Sequence, residues 1–385
     1  MLHKTFLTLF LLYSFSHAQE IKVGMSADLS GPISDICKSM DMGIRTYFEK
    51  NNNQTDKKYS FTLTTYDDNY NAVKASKNVH KLIYQDKVLA LLANMGTPPS
   101  KLTIPITNKA NISAFGFYTG GKYVRKEIAD KNVFNYRISY KDEVEFIIEQ
   151  LLKNGVKPDE MVFVSQNDAY GNSGYFAAVN ALKRRGFKDA DSLLNGRYNS
   201  HSINVESALS KLLEYPTQPK VILMFGITKP IIKFMKLAKK DFPKSTFISI
   251  SPISHSKIID QLKGLSNGLI ITQTVPLLSS TLPIVKEFLT EFKRTFADQK
   301  PSISSLEGYI VAKLFVSSLN NSKEQVSDKE SIVKILSQTK HLDIGLGFVS
   351  GFDKKYNQYS SKIWTSVIRN GEVKQYNWNE MEIEQ

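Results

Sequence analysis

Two periods of hydrophobic residues alternate along the first part of the chain. Every second residue is apolar around Ile21 to Asp28 and around Tyr59 to Tyr66, which is the period of a β-strand with one buried face. Between these segments, Met40, Ile44 and Tyr47 recur at the spacing of an amphipathic helix. Together with two short, continuous apolar runs, the pattern predicts strands at residues 21–28, 59–66, 88–93 and 112–117.

The alternation resumes after an extended segment at residues 134–143. It predicts helices at residues 143–153 and 175–185, and strands at residues 161–165, 221–225, 247–250 and 269–274. Two long amphipathic helices follow, around residues 282–296 and 305–319, and Asn370-Gly371 predicts a closing β-hairpin. Because strands that alternate with helices favour parallel sheets covered on both faces, we expect two doubly wound α/β lobes in succession.

The first eighteen residues have the plan of a secretory signal. A basic residue, Lys4, precedes an apolar run from Phe6 to Phe15, and small residues stand at Ser16 and Ala18. This order predicts cleavage after Ala18. No later run reaches the roughly eighteen apolar residues that a membrane-spanning helix needs. The mature chain is therefore expected to be exported, soluble and without a membrane anchor.

Cysteine content and charge narrow the class of protein further. The single cysteine, Cys37, excludes an internal disulfide framework, so a large hydrophobic core must supply the stability. The formal net charge is +13, and such a surplus can indicate binding to nucleic acid or to an anionic membrane. The lysines are scattered beside acidic residues, with no arginine-rich run. We therefore interpret the charge as a solvated basic surface and expect no nucleic-acid partner.

Candidate ligand-binding segments follow the predicted strands, because open parallel sheets bind ligands beyond the carboxyl ends of their strands. These segments are rich in glycine, hydroxyl groups and aromatic rings, which suit binding better than catalysis. They are residues 28–32, 67–69, 94–100, 116–121, 166–171, 226–228 and 249–251.

Signals for enzymes and metal sites are weak. Residues 116–122 match a phosphate-binding loop as far as Lys122, but Tyr123 replaces the Ser or Thr that would hold magnesium. His80, His201, His255 and His341 are isolated, so no zinc spacing is present. We therefore expect no cofactor, no metal and no catalytic residues.

Two groups of acidic residues have alternative interpretations. Asp67-Asp68 and Asp168 could form a carboxylate pair for acid/base chemistry. For Asp67 and Asp68 we favour a role in capping the next helix and shaping a turn. Asp168 and Tyr170 could form only a turn before a helix, but here we favour contact with a ligand.

Seven short motifs in this order resemble those of the periplasmic solute-binding proteins of the leucine/isoleucine/valine-binding type. The resemblance covers nearly the whole mature chain and implies the type I periplasmic binding protein fold, with two Rossmann-like lobes joined by a three-segment hinge. The motifs are Ile21-Lys-Val-Gly with Leu29-Ser-Gly-Pro32, Tyr66-Asp-Asp68, Gly96-Thr-Pro98, Phe115-Gly-Phe-Tyr-Thr-Gly120, Tyr136-Arg-Ile-Ser-Tyr140, Asp168-Ala-Tyr-Gly171 and Leu306-Glu-Gly-Tyr309.

The same resemblance implies lobe boundaries and site residues. Lobe 1 would comprise residues 19–138 and 275–346, and lobe 2 residues 139–274 and 347–385. The first hinge strand would be residues 136–140, with returns near Thr274 and Phe348. Thr97 and the backbone from Phe117 to Thr119 would hold a polar head group, and Tyr170 would close over the solute. The full set of expected ligand contacts is Thr97, Pro98, Phe117, Tyr118, Thr119, Asp168, Tyr170, Ile227 and Ser251.

Departures from the family pattern concern the solute. Ser251 stands where amino acid binders place an acid for the ammonium group, Ile36 stands where a lid aromatic is expected, and the family's small disulfide is absent. A buried ammonium without a charged partner is costly, on the order of several kcal/mol. Either Asp168 supplies that charge or the solute is not a standard amino acid.

Three functions remain open at this point. The first is a monomeric periplasmic receptor that feeds a small polar solute, an amino acid or a related carboxylate or amide, to an ABC permease. The second is a receptor that reports the solute to the outer domain of a membrane sensor. The third is an exported hydrolase that uses the region of Asp68 and Asp168.

Overall fold

The structure is a computed structural model that describes residues 18–125 and 130–381. The predicted signal sequence, apart from Ala18, lies outside the described residues. Within those ranges, no helix combines the length and the apolar character needed to cross a membrane.

A five-stranded parallel sheet forms the centre of lobe 1. Apolar residues of its first strand, such as Val23, are fully buried between helices on both faces of the sheet. The strand order is β2-β1-β3-β4-β5, with these bounds: β1 (Gln19–Ala27), β2 (Tyr59–Asp67), β3 (Ala90–Leu92), β4 (Ser113–Phe115) and β5 (Val133–Phe134). The first three helices are α1 (Ser34–Asn52), α2 (Ala72–Tyr84) and α3 (Thr97–Ala110).

The chain then enters lobe 2, where strands and helices alternate again. Ser139 caps the first helix of this lobe, since its hydroxyl accepts the N–H of Asp142. The elements are α4 (Tyr140–Lys153), β6 (Met161–Asn167), α5 (Ala169–Arg184), β7 (Asn195–Asn199), α6 (Glu206–Leu213), β8 (Val221–Phe225), α7 (Thr228–Asp241), β9 (Thr246–Ser249), α8 (His255–Leu262) and β10 (Ile270–Gln273).

Three helices return to lobe 1, and the last strands complete lobe 2. The remaining elements are α9 (Pro283–Thr295), α10 (Ile303–Asn320), α11 (Lys329–Gln338), β11 (Leu342–Asp343), β12 (Val349–Ser350), β13 (Trp364–Arg369) and β14 (Glu372–Gln375). The lobe 2 sheet has the order β14-β13-β10-β9-β8-β6-β7. The predicted hairpin is confirmed, because β13 and β14 pair antiparallel and Asn370 and Gly371 both have positive φ. The α/β fold class with parallel-sheet lobes is confirmed as well.

Helix α10 differs from its prediction. It is buried around almost its whole circumference rather than amphipathic, and its N-cap is Ser302. The reason is close packing on α1. A Cβ on Gly308 would lie 2.2 Å from the carbonyl oxygen of Met40, and one on Gly43 would lie 1.9 Å from that of Ser305. Only glycine allows the two backbones to approach so closely.

The crossings between the lobes run side by side. The hydroxyl of Tyr136 donates to the carbonyl of Thr274 at 2.9 Å, so the segments that contain these two residues are in contact. The third crossing lies beside Asn135 at residues 357–359, later than the expected Phe348.

Candidate functional site: a cavity between the two lobes

A small cavity lies where the two lobes meet. Its wall comes from segments that follow the carboxyl ends of parallel strands, as expected for open α/β sheets. Lobe 1 supplies Ile33, Ile36, Tyr70, Gly96, Thr97 and Tyr118, and lobe 2 supplies Tyr140, Tyr170, Ile227 and Pro252. The cavity volume is about 20 Å³, room for about one water molecule. The lobes therefore stand in a closed arrangement.

Four tyrosines dominate the wall, and they are neutral. Burial raises the pKa of the Tyr70, Tyr118, Tyr140 and Tyr170 hydroxyls. Tyr170 is only 2% exposed, and its hydroxyl has no hydrogen-bond partner among the described residues. A buried polar group without a partner costs about 1–3 kcal/mol. This hydroxyl is therefore the wall group most in need of a partner from a bound molecule.

The N-terminus of α3 forms part of the lobe 1 side of the wall. The hydroxyls of Thr97 and Thr119 are hydrogen-bonded at 2.7 Å, and the N–H of Gly121 donates to Thr119 Oγ1 at 3.0 Å. Pro98 and Pro99 occupy the next two helical positions and have no N–H. This helix end therefore offers fewer amide donors than an ordinary N-terminus.

Two carboxylates support the lobe 1 wall from behind. Asp28 accepts the backbone N–H of Ile33 at 2.8 Å and that of Gly31. Asp68 accepts the backbone N–H of Tyr70 at 2.9 Å and the hydroxyl of Ser26 at 2.7 Å. Burial raises the pKa of both carboxyls, that of Asp68 to about 7. Helix α2 is capped by Asn71, so Asp67 and Asp68 shape the turn but the predicted capping role is wrong.

Asp168 supports the lobe 2 wall in the same way. Its Oδ1 accepts the N–H groups of Tyr170 and Gly171 at 2.9 and 3.1 Å. Its Oδ2 accepts from Gln166 and Ser200. Asp168 is thus the N-cap of α5, and both oxygens are engaged within the protein. It lies behind Tyr170 and does not line the cavity.

Glu143 is the fourth carboxylate behind the wall, and sequence reasoning missed it. It accepts the N–H of Ser251 at 2.8 Å, the hydroxyl of Ser251 at 3.0 Å and that of Thr272 at 2.6 Å. Burial raises its pKa, while the charge of Arg137 opposes that rise. An acid is therefore present behind Ser251, although residue 251 itself is not acidic.

A buried ion pair joins the first crossing to α10. Arg137 donates from Nε and Nη2 to the two carboxylate oxygens of Glu307 at 2.6 and 3.2 Å, and both side chains are 1% exposed. The guanidinium also donates to Ser251 Oγ at 3.1 Å and lies 4.1 Å from the ring centre of Tyr118. This cluster connects the hinge to both sides of the cavity.

Other contacts hold the lobes together at the rim. Lys257 of α8 forms an ion pair with Asp35 of α1 at 2.8 Å. The rings of Tyr70 and His201 lie 5.7 Å apart across the cleft. Both contacts join one lobe to the other and would be lost on opening.

The structure brings some of the predicted contact residues together and leaves others outside. Thr97, Tyr118, Tyr170 and Ile227 line the cavity. Thr119, Asp168 and Ser251 lie directly behind its wall, as their hydrogen bonds show. Pro98 does not line it, and Phe117 packs in a hydrophobic cluster of lobe 1.

Six wall residues were not among the expected ligand contacts, namely Ile33, Ile36, Tyr70, Gly96, Tyr140 and Pro252. Gly96 lies inside a segment that the strand ends had indicated, and Ile33, Ile36, Tyr70 and Pro252 stand within a few residues of one. Tyr140 and Glu143 also belong to the extended segment at residues 134–143. No metal-binding group of three or more His, Cys, Asp or Glu side chains is found within the ranges that the structure describes.

Comparisons with known proteins agree with this architecture. Residues 20–372 match the family model described as periplasmic binding protein. A crystal structure described as a possible leucine/isoleucine/valine-binding protein from Rhodopirellula baltica is 32% identical, with a TM-score of 0.90 and coverage of 94% of this chain and 98% of that chain.

More distant solved structures share the fold. A branched-chain amino acid ABC transporter protein from Thermus thermophilus with bound valine has a TM-score of 0.80 at 14% identity, and the match covers 94% of this chain and 96% of that one. The branched-chain amino acid transporter substrate-binding protein from Streptococcus pneumoniae, in complex with isoleucine, has a TM-score of 0.76 at 13% identity, with coverage of 92% and 98%. The search of curated proteins gave no match.

Proposed function

The chain belongs to the periplasmic binding protein family, and on that premise we propose that it captures a small solute between its lobes and delivers it to an ABC importer. The observation that carries the proposal is the cavity itself. Both lobes contribute to its wall, and the buried Tyr170 hydroxyl on that wall has no partner among the described residues. Closure of two lobes around a solute is a population shift that binding energy drives.

The proposal extends to location and partner. The secretory plan of residues 1–18, together with the family, supports export to the periplasm. The related structures whose descriptions name a transporter support an ABC permease as the partner. The family and these structural neighbours are ligand-binding proteins rather than enzymes. The oxygens of Asp68 and Asp168 are engaged in holding the wall, which gives no support to the hydrolase interpretation.

Binding can be tested with the purified mature protein. Native mass spectrometry of freshly purified protein would identify a retained solute. A panel of amino acids, short carboxylates, amides and polyamines would then be screened by thermal unfolding. A solute at about 100 times its Kd should stabilise the protein by about 2.7 kcal/mol and raise the Tm. The absence of any retained solute and of any response across the panel would contradict the proposal.

Delivery needs a separate experiment. We expect a strain that lacks this protein to lose uptake of the identified solute, and the wild-type gene to restore it. Unchanged uptake with intact binding in vitro would contradict delivery to an importer but leave solute capture standing. In that case a change in sensor output on loss of the protein would identify the sensing role.

A further inference from the structure

A second cavity lies between the two lobes, next to the one that the proposed function uses. It has a volume of about 520 Å³ and shares the wall residue Tyr140 with the smaller cavity. We infer that this side cavity binds an oxyanion, a phosphate or carboxylate group, through Lys122, Arg125 and Lys141. The inference concerns a site apart from the small cavity, and its test does not require the solute to be known.

Both lobes contribute to the wall of the side cavity. Lobe 1 supplies residues of the segment 120–125, which follows β4, and lobe 2 supplies residues 139–142 at the start of α4 together with one face of α5. Tyr356, next to the third crossing, completes the wall. Because Lys122 and Arg125 belong to one lobe and Lys141 to the other, an anion held by all three would favour the closed arrangement.

Arg125 is the group that most needs an anion. It is 9% exposed, and its guanidinium donates to three neutral oxygens, the side-chain oxygen of Gln358 at 2.9 Å, the carbonyl of Thr119 at 3.3 Å and the carbonyl of Arg137. A guanidinium has five N–H groups, so two remain without a partner among the described residues. Burial lowers the pKa of Arg125 to about 10, because desolvation of a charge is costly where no counter-ion is bound.

Two lysines add positive charge at the edge of the side cavity. Lys122 and Lys141 are exposed, and neither they nor Arg125 forms an ion pair within the ranges that the structure describes. The lining residues include one carboxylate, Asp142, and its Oδ2 accepts the hydroxyl of Ser139 at 2.6 Å. Three cations therefore face one carboxylate, which leaves a surplus of positive charge.

Asp353 lies outside the wall but close enough to act on Arg125. Its charge opposes the fall in the pKa of Arg125. Its Oδ1 accepts the backbone N–H groups of Lys355 and Tyr356, both at 2.7 Å, and its Oδ2 accepts that of Gln358 at 3.0 Å. Asp353 therefore shapes its own turn and does not pair directly with the guanidinium.

The three cations suit an oxyanion in particular. A guanidinium presents its N–H groups in a planar fork that matches carboxylate and phosphate oxygens, and lysines add mobile point charges. Lys122 ends the segment that resembles a phosphate-binding loop, but the N–H of Gly121 donates to Thr119 Oγ1 at 3.0 Å. Side chains rather than a backbone loop would hold the anion. A free phosphate and an anionic group of the solute offer the same oxygens, and experiment can separate them.

Inorganic phosphate tests the site directly. It is titrated near pH 7 at constant ionic strength, with sodium chloride as the balancing salt, so that general screening does not change. We expect saturable binding by calorimetry and a rise in the Tm of the wild-type protein. The double variant Lys122→Gln/Lys141→Gln should weaken phosphate binding by about tenfold, since each exposed charge contact contributes a few-fold. The control Lys229→Gln/Lys340→Gln removes two exposed lysines outside the cavity and should bind as the wild type does.

Arg125→Gln should abolish the saturable response to phosphate. Because Arg125 also joins Thr119 to the first and third crossings, this variant could fail to fold, and the two lysine double variants then decide. Either of two results would overturn the inference. One is the absence of saturable phosphate binding by the wild-type protein. The other is an equal loss of phosphate affinity in the two lysine double variants, which would assign the binding to general surface charge.

A competition experiment distinguishes the two sources of the anion. If the solute itself carries the anionic group, a saturating concentration of the solute should displace phosphate. If the anion is free phosphate, the solute and phosphate should each tighten the binding of the other, because both favour the closed lobes. Either result supports the site. Phosphate binding is measured without any solute, so a failure of proposed solute capture and a failure of this inference are distinguishable.

Discussion

The cavity wall and the cluster around the Arg137–Glu307 ion pair, here called the crossing cluster, are both buried. Their polar groups differ in whether they have hydrogen-bond partners within the protein. In the crossing cluster, Arg137 and Glu307 are paired, and each hydroxyl beside them has a partner. In the cavity wall, Tyr170 is only 2% exposed, and its hydroxyl has no hydrogen-bond partner among the described residues. The hydrogen bonding of the crossing cluster is therefore satisfied within the protein, whereas the Tyr170 hydroxyl in the cavity wall needs a bound molecule as its partner.

The difference separates stability from function. A saturated buried network fixes one geometry, and removing a member of it exposes an uncompensated charge. A buried hydroxyl without a partner in the cavity wall reduces stability slightly, but it can form a hydrogen bond with a bound solute. We therefore expect substitutions in the crossing cluster to have large effects on folding. Substitutions in the wall and at the rim should have smaller effects, mainly on solute binding.

The largest effect is expected from the ion pair. Arg137→Met leaves the carboxylate of Glu307 buried without its cation, so we expect a loss of about 3–5 kcal/mol of unfolding free energy. Chemical denaturation measures it. Lys153→Met removes an exposed ion pair with Glu149 and serves as the control, with a change below about 1 kcal/mol. Equal effects in the two variants would contradict the role given to the cluster.

A pH-dependent effect should come from Asp68. Burial raises its pKa from 3.8 in the unfolded chain to about 7 in the folded protein, so the folded state binds the additional proton. The unfolding free energy of the wild type should therefore fall as pH rises from about 4 to about 7. In Asp68→Asn this fall should be smaller by on the order of 3 to 4 kcal/mol, given about 1.4 kcal/mol for each pKa unit between 3.8 and about 7.

Denaturation of Asp68→Asn and wild type at several pH values checks this expectation. The exposed Asp260→Asn is the control and should follow the wild type. A variant that keeps the full wild-type slope would show that Asp68 is ionised in the folded protein at low pH. Asp68 would then resemble Glu307 of the crossing cluster, as a buried carboxylate that stays ionised because its hydrogen bonds stabilise the charge.

Much of the fold could be predicted because it depends on local patterns. The alternation around Val23 and the apolar run at residues 221–225 both mark real strands, and Asn370-Gly371 marks a real hairpin. Helix α10 could not be predicted as buried, because its neighbours are α1 and the crossings, far away in sequence. The position of the third crossing depends on pairing with Asn135, which no local pattern records.

The candidate site was predictable in outline only. Strand ends indicated the segments that contain Tyr170 and Thr97, since topology brings those ends together. The direction of each side chain was not predictable. Asp168 was expected to contact the solute but instead caps α5, and Glu143, which helps hold the wall, lies on a helix and is remote from Ser251 in sequence.

Tyr170→Phe should separate binding from folding more cleanly than truncation to alanine. It removes only the hydroxyl without a partner, so the unfolding free energy should stay the same or rise by up to about 1 kcal/mol. Affinity for the identified solute should fall by about 1–1.5 kcal/mol, since one hydrogen bond is lost. Calorimetry and denaturation measure the two quantities. An unchanged affinity would remove this hydroxyl from the site.

The smallest effect concerns the rim. Lys257→Met removes the ion pair with Asp35 that joins the lobes, and it should weaken solute affinity by about 0.5–1 kcal/mol, because the pair forms only in the closed arrangement. Lys233→Met removes the Glu206 pair within lobe 2 and should leave affinity unchanged. Calorimetry at low and high salt tests both variants, and the Lys257 effect should shrink as salt screens the pair. If both variants lost affinity equally, general surface charge would be responsible. The ion pair at the rim would then have no specific effect on solute binding.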